Sequence, residues 1–203
     1  MSRESPTTTL IGLMVVIALL QGVLWVFSVP VSLALAWPLT DAPWTLLSSV
    51  LAHGGPFHLA TNAVGLFVLG LVLERQTSAW RFYAFFLGVG AIAGATEVTV
   101  MHVLGDGVSV LGASGAIFGL LGYLLAGNRL TDAVADRVTV SPRAAIVATV
   151  GVALVITWLT RGRRVALIAH FTGLVVGLLA GRAHLLRNSD ATTAPRDGDR
   201  PRP

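Results

Sequence analysis

The sequence predicts an all-α polytopic membrane protein, with six transmembrane helices in a compact bundle and an interfacial segment in the first outer loop. Three observations lead there. Apolar side chains make up 54% of the 203 residues and charged ones 12%, about half the charged share of an ordinary globular chain, and mean hydropathy is +0.77. The apolar residues fall into six runs separated by polar punctuation. The fourteen cationic side chains are all arginines, standing singly or as a short triplet between those runs, where they mark topology rather than a nucleic-acid surface. The absence of cysteine excludes a disulfide framework, a thiol nucleophile and a thiolate zinc site.

The runs are 10–29, 58–73, 82–100, 110–126, 144–159 and 165–181. Several are near or below the ~17 residues a span needs, so short helices and a locally thinned bilayer are expected. The first run exceeds a signal-peptide core and lacks a small-residue cleavage site after it, so it is expected to stay attached. With the N-terminus inside, only Arg161, Arg163 and Arg164 fall outside and the other eleven arginines inside, which places both termini in the cytoplasm. Residues 30–55 are too polar to span and too apolar for a solvated loop. Trp37 and Trp44 suit them to the outer interface. The division is therefore a cytoplasmic segment 1–9, a membrane domain 10–182 and a cytoplasmic tail 183–203. The Thr-, Pro-, Arg- and Asp-rich part of that tail, from Asn188 onward, is expected to be disordered.

Polar residues inside spans are costly and so are the first candidates for chemistry. His58 and Asn62 open the second run, Ser114 the fourth and His170 the sixth. All three runs descend from the outside in this topology, so the four residues share one depth. His58 and Asn62, four apart, share a helix face. On the sixth run His170, Gly173, Gly177 and Gly181 form one stripe, and Gly112, Gly115, Gly119 and Gly122 leave one side of the fourth nearly bare. Packing the bare faces together would set Ser114 beside His170. A serine within reach of an imidazole is the minimal activated nucleophile. His58, the Asn62 amide and the Ser114 backbone N–H could donate to an oxyanion. No third carboxylate is evident, so the reading is a dyad.

The motifs point the same way. Gly112-Ala113-Ser114-Gly115 resembles the GxSG motif of the rhomboid intramembrane serine proteases. The stretch from His53 through His58 to Asn62 resembles their HxxxxHxxxN element. Ala169-His170 with Gly173 and Gly177 is similar to their AHxxGxxxG, and Glu74-Arg75 to the pair commonly closing the second span. The likeness covers about residues 44–181. It implies a rhomboid-like bundle in which Ser114 is the nucleophile and His170 the general base. It also implies oxyanion support from His58 and Asn62, room for the scissile backbone at Gly112, and transmembrane-helix substrates cut near their outer end. No cofactor or metal is implied. The expected partners are such substrates and the lipid bilayer of the cell membrane, with no nucleic acid. Where some members have Trp-Arg in the first outer loop, this chain has Trp44-Thr45, and where some have tyrosine after the nucleophile it has Phe118.

Other functions fit the sequence less well. A catalytically inactive rhomboid-like protein that binds or escorts transmembrane helices is the alternative, although such relatives typically lack the serine or the histidine. Metal binding at His53 and His58 has neither an HExxH motif nor a third ligand behind it. A transporter would show paired broken helices and inverted repeats. Glu97, near the outer end of the third run, is expected at the interface or on a polar partner rather than carrying protons.

Overall fold

The computed structural model describes residues 4–29, 31–127 and 166–187, together with Ala144, Val147 and Gly151, which are helical. Among the described residues the architecture is a helical bundle with one two-residue strand pair. Helix α1 spans Pro6–Val26, with the Ser5 hydroxyl accepting from Thr8 N–H and proline in its first turn. Strand β1 (Leu35–Ala36) and the short helix α2 (Thr45–Leu51) lie in the connection that follows α1. Helix α3 (Pro56–Leu73) follows Gly55, whose φ of +142° turns the chain into the helix. Helix α4 (Ala79–Val103) is capped by Ser78, and β2 (Ser109–Val110) leads to α5 (Ser114–Ala126). Helix α6 is Leu167–Arg182.

Three of these helices, α1, α3 and α4, are long and apolar enough to cross a membrane, while α5 and α6 are shorter apolar helices. The count of six spans rests on the run 144–159, most of which lies outside the described residues. The fourth run starts four residues later than its hydropathy suggests. Val110 pairs with Leu35 across β1–β2, and Gly112 at φ +120° breaks the backbone before Ser114. The packed chain continues past residue 182. Residues 183–187 form turns, Leu186 is buried, and its N–H donates to the Tyr123 hydroxyl at 3.2 Å.

The main core gathers Leu10 and Met14 of α1, Leu66 and Leu73 of α3, Phe82 and Phe86 of α4, and Leu120 and Tyr123 of α5. Along one seam helices α5 and α6 meet backbone to backbone. A Cβ on Gly173 would strike the Gly115 backbone, one on Gly177 the Gly119 backbone, and one on Gly181 the Tyr123 carbonyl. Both lists advance in steps of four, so the helices run parallel, with backbones as close as only glycine permits.

Candidate active site

The parallel glycine seam begins one residue past Ser114 and three past His170, and so it sets the two side chains at the same level. His170 Nε2 lies 2.9 Å from Ser114 Oγ. The Phe118 ring, one turn along α5, stacks on the imidazole at 4.2 Å between centroids and 15° between planes. The stack fixes the ring orientation without the hydroxyl a tyrosine would add. The imidazole Nδ1 is buried, and among the described residues no carboxylate or other group hydrogen-bonds it, so no third member of a triad is seen there.

The pair faces a cavity of about 670 Å³, open to one side, with His58, Asn62, Phe57 and Ile117 also on its walls. Ser114 opens α5, and the first helical bond behind it runs from Ile117 N–H to the Ala113 carbonyl. The N–H groups of Ser114, Gly115 and Ala116 therefore precede the helical ladder, at the positive end of the helix dipole. Across the cavity, Gly54 N–H donates to His58 Nδ1 at 3.4 Å. With Nδ1 accepting, the neutral ring carries its proton on Nε2, which is the donor a developing oxyanion needs. One hydrogen of the Asn62 amide goes to the His58 carbonyl at 2.8 Å, which leaves the second for another acceptor.

All five residues singled out in the sequence therefore gather at one end of the bundle, and at Gly112 the local packing itself calls for a glycine. A Cβ there would sit 2.6 Å from His58 Cε1 and 2.7 Å from Nε2. The imidazole occupies that space and the φ is positive, and both suit glycine at this position.

Neighbouring contacts pin the elements that carry the site. In place of a Trp-Arg pair, the connection after α1 is held by Leu35, buried against Gly94, and by Val50, seated on Gly90 of α4. The Gly112 N–H donates to the Ser49 carbonyl at 2.8 Å, and Trp37 stacks on His102 at 5.0 Å. His53 is buried, its N–H donating to Gln21 Oε1 at 3.1 Å and its Nδ1 facing the Leu51 carbonyl at 3.0 Å. Its ring meets His58 edge-on. Burial, and then the neighbouring His58, push the His53 imidazole down from 6.5 to about 4, so it is neutral in the working range. Gln21 had no place in the sequence reading beyond interrupting an apolar run, yet a lone amide in such a run is a signal of a buried partner. Glu97 finds a polar partner rather than the interface: it is buried and accepts the Ala169 N–H at 2.8 Å.

Fold and site together define a multi-pass helical membrane protein that holds a serine–histidine pair against an open cavity. The family model described as Rhomboid domain matches residues 40–187, and the chain belongs to the rhomboid family. It is 31% identical over 146 residues to RHOMBOID-like protein 5 of Arabidopsis thaliana, covering 71% of this chain and 45% of that protein. It is 38% identical over 117 residues to Putative rhomboid protease YdcA of Bacillus subtilis, covering 52% of this chain and 57% of that one. Rhomboid protease GlpG of Haemophilus influenzae is 27% identical over 139 residues, 68% of each chain. The chain spans about half the length of the first two relatives.

Proposed function

We propose that this rhomboid-family chain is an intramembrane serine endopeptidase that cuts transmembrane-helix substrates near their outer end, using Ser114 and His170. The observation that carries the reading is the 2.9 Å contact between Ser114 Oγ and His170 Nε2 at the cavity wall. His170 Nε2 takes the hydroxyl proton as Oγ attacks the scissile carbonyl, and the imidazolium returns that proton to the leaving amine. Water from the cavity then attacks the acyl-serine, with His170 again as base, releasing the acid and restoring the serine. The oxyanion in each half-reaction is met by the Ser114 N–H, His58 Nε2–H and the free hydrogen of the Asn62 amide.

Depth supports the intramembrane part. At ~1.5 Å per residue, α5 reaches about 20 Å against the ~30 Å of a hydrocarbon core. With its C-terminus at one face, its N-terminus and Ser114 lie inside the bilayer. The arginine distribution puts that N-terminus toward the outside, with both termini of the chain in the cytoplasm and the cell membrane as its location. A helix exposes no backbone for attack, so substrates must unwind locally, which favours spans weakened by glycine or proline and small residues at the cut.

Labelling by a fluorophosphonate tests the reading. Wild type should label, whereas Ser114→Ala should neither label nor cleave a transmembrane reporter. His170→Ala should lose turnover, and the double variant should be little worse than either single one. Asn62→Ala should lose about tenfold to a thousandfold in rate while still labelling slowly. Labelling of Ser114→Ala equal to a labelled wild type would point to another nucleophile and sink the proposal, and a wild type that neither labels nor cleaves would favour the inactive, helix-binding alternative.

A further inference from the structure

Ala166, which precedes α6, has no side chain able to cap the helix, and the first α6 bond is from His170 N–H to the Ala166 carbonyl at 3.1 Å. The N–H of Ala169 precedes that ladder. Its acceptor comes from another helix: Glu97 of α4, itself buried, through Oε2 at 2.8 Å. Acidic side chains at membrane depth are costly and occur where they bond something. One turn back along α4, the Ala93 Cβ fills the space above Gly115, where a Cβ would approach it to 2.7 Å. Helix α4 thus touches α5 one residue after Ser114 and α6 one residue before His170.

We propose that Glu97 is a positioning residue for His170, its buried carboxylate holding the first turn of α6 through Ala169 N–H so that the imidazole stays aligned on Ser114. The inference rests on the proteolytic reading for its consequence, not for its geometry. Among the described residues Glu97 bonds neither Ser114 nor His170, so it handles no proton of the reaction. Losing the tie frees the N-terminal turn that carries the base. A misplacement of ~1 Å in a reacting pair can lower the rate about a hundredfold.

The test compares Glu97→Leu, Glu97→Gln and Glu97→Asp in the full chain. The first readout is the ¹⁵N spectrum of histidine-labelled protein, with the His170 signal identified by its loss in His170→Ala. Ser114→Ala should move the His170 Nε2 resonance by removing its partner. Glu97→Leu should move it likewise, while Glu97→Gln, which keeps an acceptor oxygen, should leave it at the wild-type position. The second readout is turnover: Glu97→Leu should lower kcat by about a hundredfold with KM within about twofold, and Glu97→Gln should restore kcat to within about threefold. Should Glu97→Leu fail to fold, Glu97→Asp carries the test. It is one methylene short of Ala169 and should lose about tenfold in kcat at unchanged KM. A wild-type His170 resonance and kcat in Glu97→Leu or Glu97→Asp would overturn the proposal, and so would a Gln variant as impaired as Leu. A wild type without Ser114-dependent turnover would instead sink the proteolytic reading, because the spectrum judges the positioning on its own.

Discussion

Helices α1 and α6 are both apolar and both contain glycines, yet the glycines have opposite surroundings. On α1, Gly12 and Gly22 have nothing within 4 Å of where a side chain would be. On α6, Gly173, Gly177 and Gly181 each have the α5 backbone there. Helix α1 packs through its first half, where Thr7, Leu10 and Met14 are buried, and exposes Leu19, Val23 and Trp25 beyond it. Its polar ties are few: at its start Ser5 hydroxyl and Thr7 N–H donate to Glu74 at 2.8 and 3.0 Å, and beyond the packed half Gln21 accepts from His53. The lesson is about precision. A serine–histidine pair set by backbone on backbone has no flexible side chain to absorb error, whereas a helix tied at a few hydrogen bonds can shift without disturbing that pair.

The sharpest way to break this comparison is to add one methyl group to each helix. Gly177→Ala puts a Cβ against the Gly119 carbonyl, and neither backbone can yield without separating the helices. A loss at or above the upper end of ~1–3 kcal/mol is expected, with turnover falling further because Ser114 and His170 separate. Gly12→Ala should be neutral or stabilising by roughly 0.5–1 kcal/mol, with activity retained. Thermal unfolding in one detergent compares the two. Equal effects would mean that the seam is not what positions the site.

Acid separates the regions by a smaller effect, confined to low pH. Below 6.5 an unfolded chain takes up a proton that folded His53 refuses until about 4, so stability falls as pH falls through that window. Glu74 acts lower. Burial alone would raise its carboxyl, but hydrogen bonds from Thr7 and Ser5 and the charge of Arg75 hold it below the ordinary carboxylate value of 4.5. Its contribution is complete above 4.5 and is lost as pH falls through the depressed value. His53→Gln should therefore flatten the melting temperature between pH 6.5 and about 4, and Glu74→Gln should flatten it only below 4.5. If both variants flattened the same window, the two ties would not be independent.

How legible these regions were follows from their chemistry. The dyad could be placed because helical spacing alone puts His170, Gly173, Gly177 and Gly181 on one face and pairs it with the bare face of α5. The ties could not, because they join residues far apart in sequence by backbone groups that every residue carries. Ala169 N–H has no signature in the sequence, so Glu97 could be assigned a polar partner but not which one. The start of α5 was misjudged because Val110 and Leu111 continue the apolar run, and only the positive φ at Gly112 and the pairing with Leu35 end it. Leu186 shows the same limit at the other end. Its burial depends on Tyr123, sixty-three positions away, while its neighbours have the composition of a tail.

The smallest effect tests whether the outer tie of α1 reaches the site at all. Gln21 accepts the N–H of His53, Gly54 follows it, and Gly54 N–H meets His58 Nδ1. Gln21→Leu leaves the His53 N–H, in the connection between α2 and α3, without its acceptor, a loss of about 0.5–1.5 kcal/mol for one hydrogen bond. The loosened loop should weaken the Gly54 contact that fixes the His58 tautomer, so that Nε2 is no longer always the protonated nitrogen. Only one of three oxyanion donors is affected, so kcat should fall by less than about tenfold, with KM unchanged. Combining Gln21→Leu with His58→Ala separates the routes. If Gln21 acts through His58, the double variant should be no slower than His58→Ala alone. A further drop in the double variant would show that the tie supports the site by another path, and that α1 is not the loosely coupled element its exposed glycines suggest.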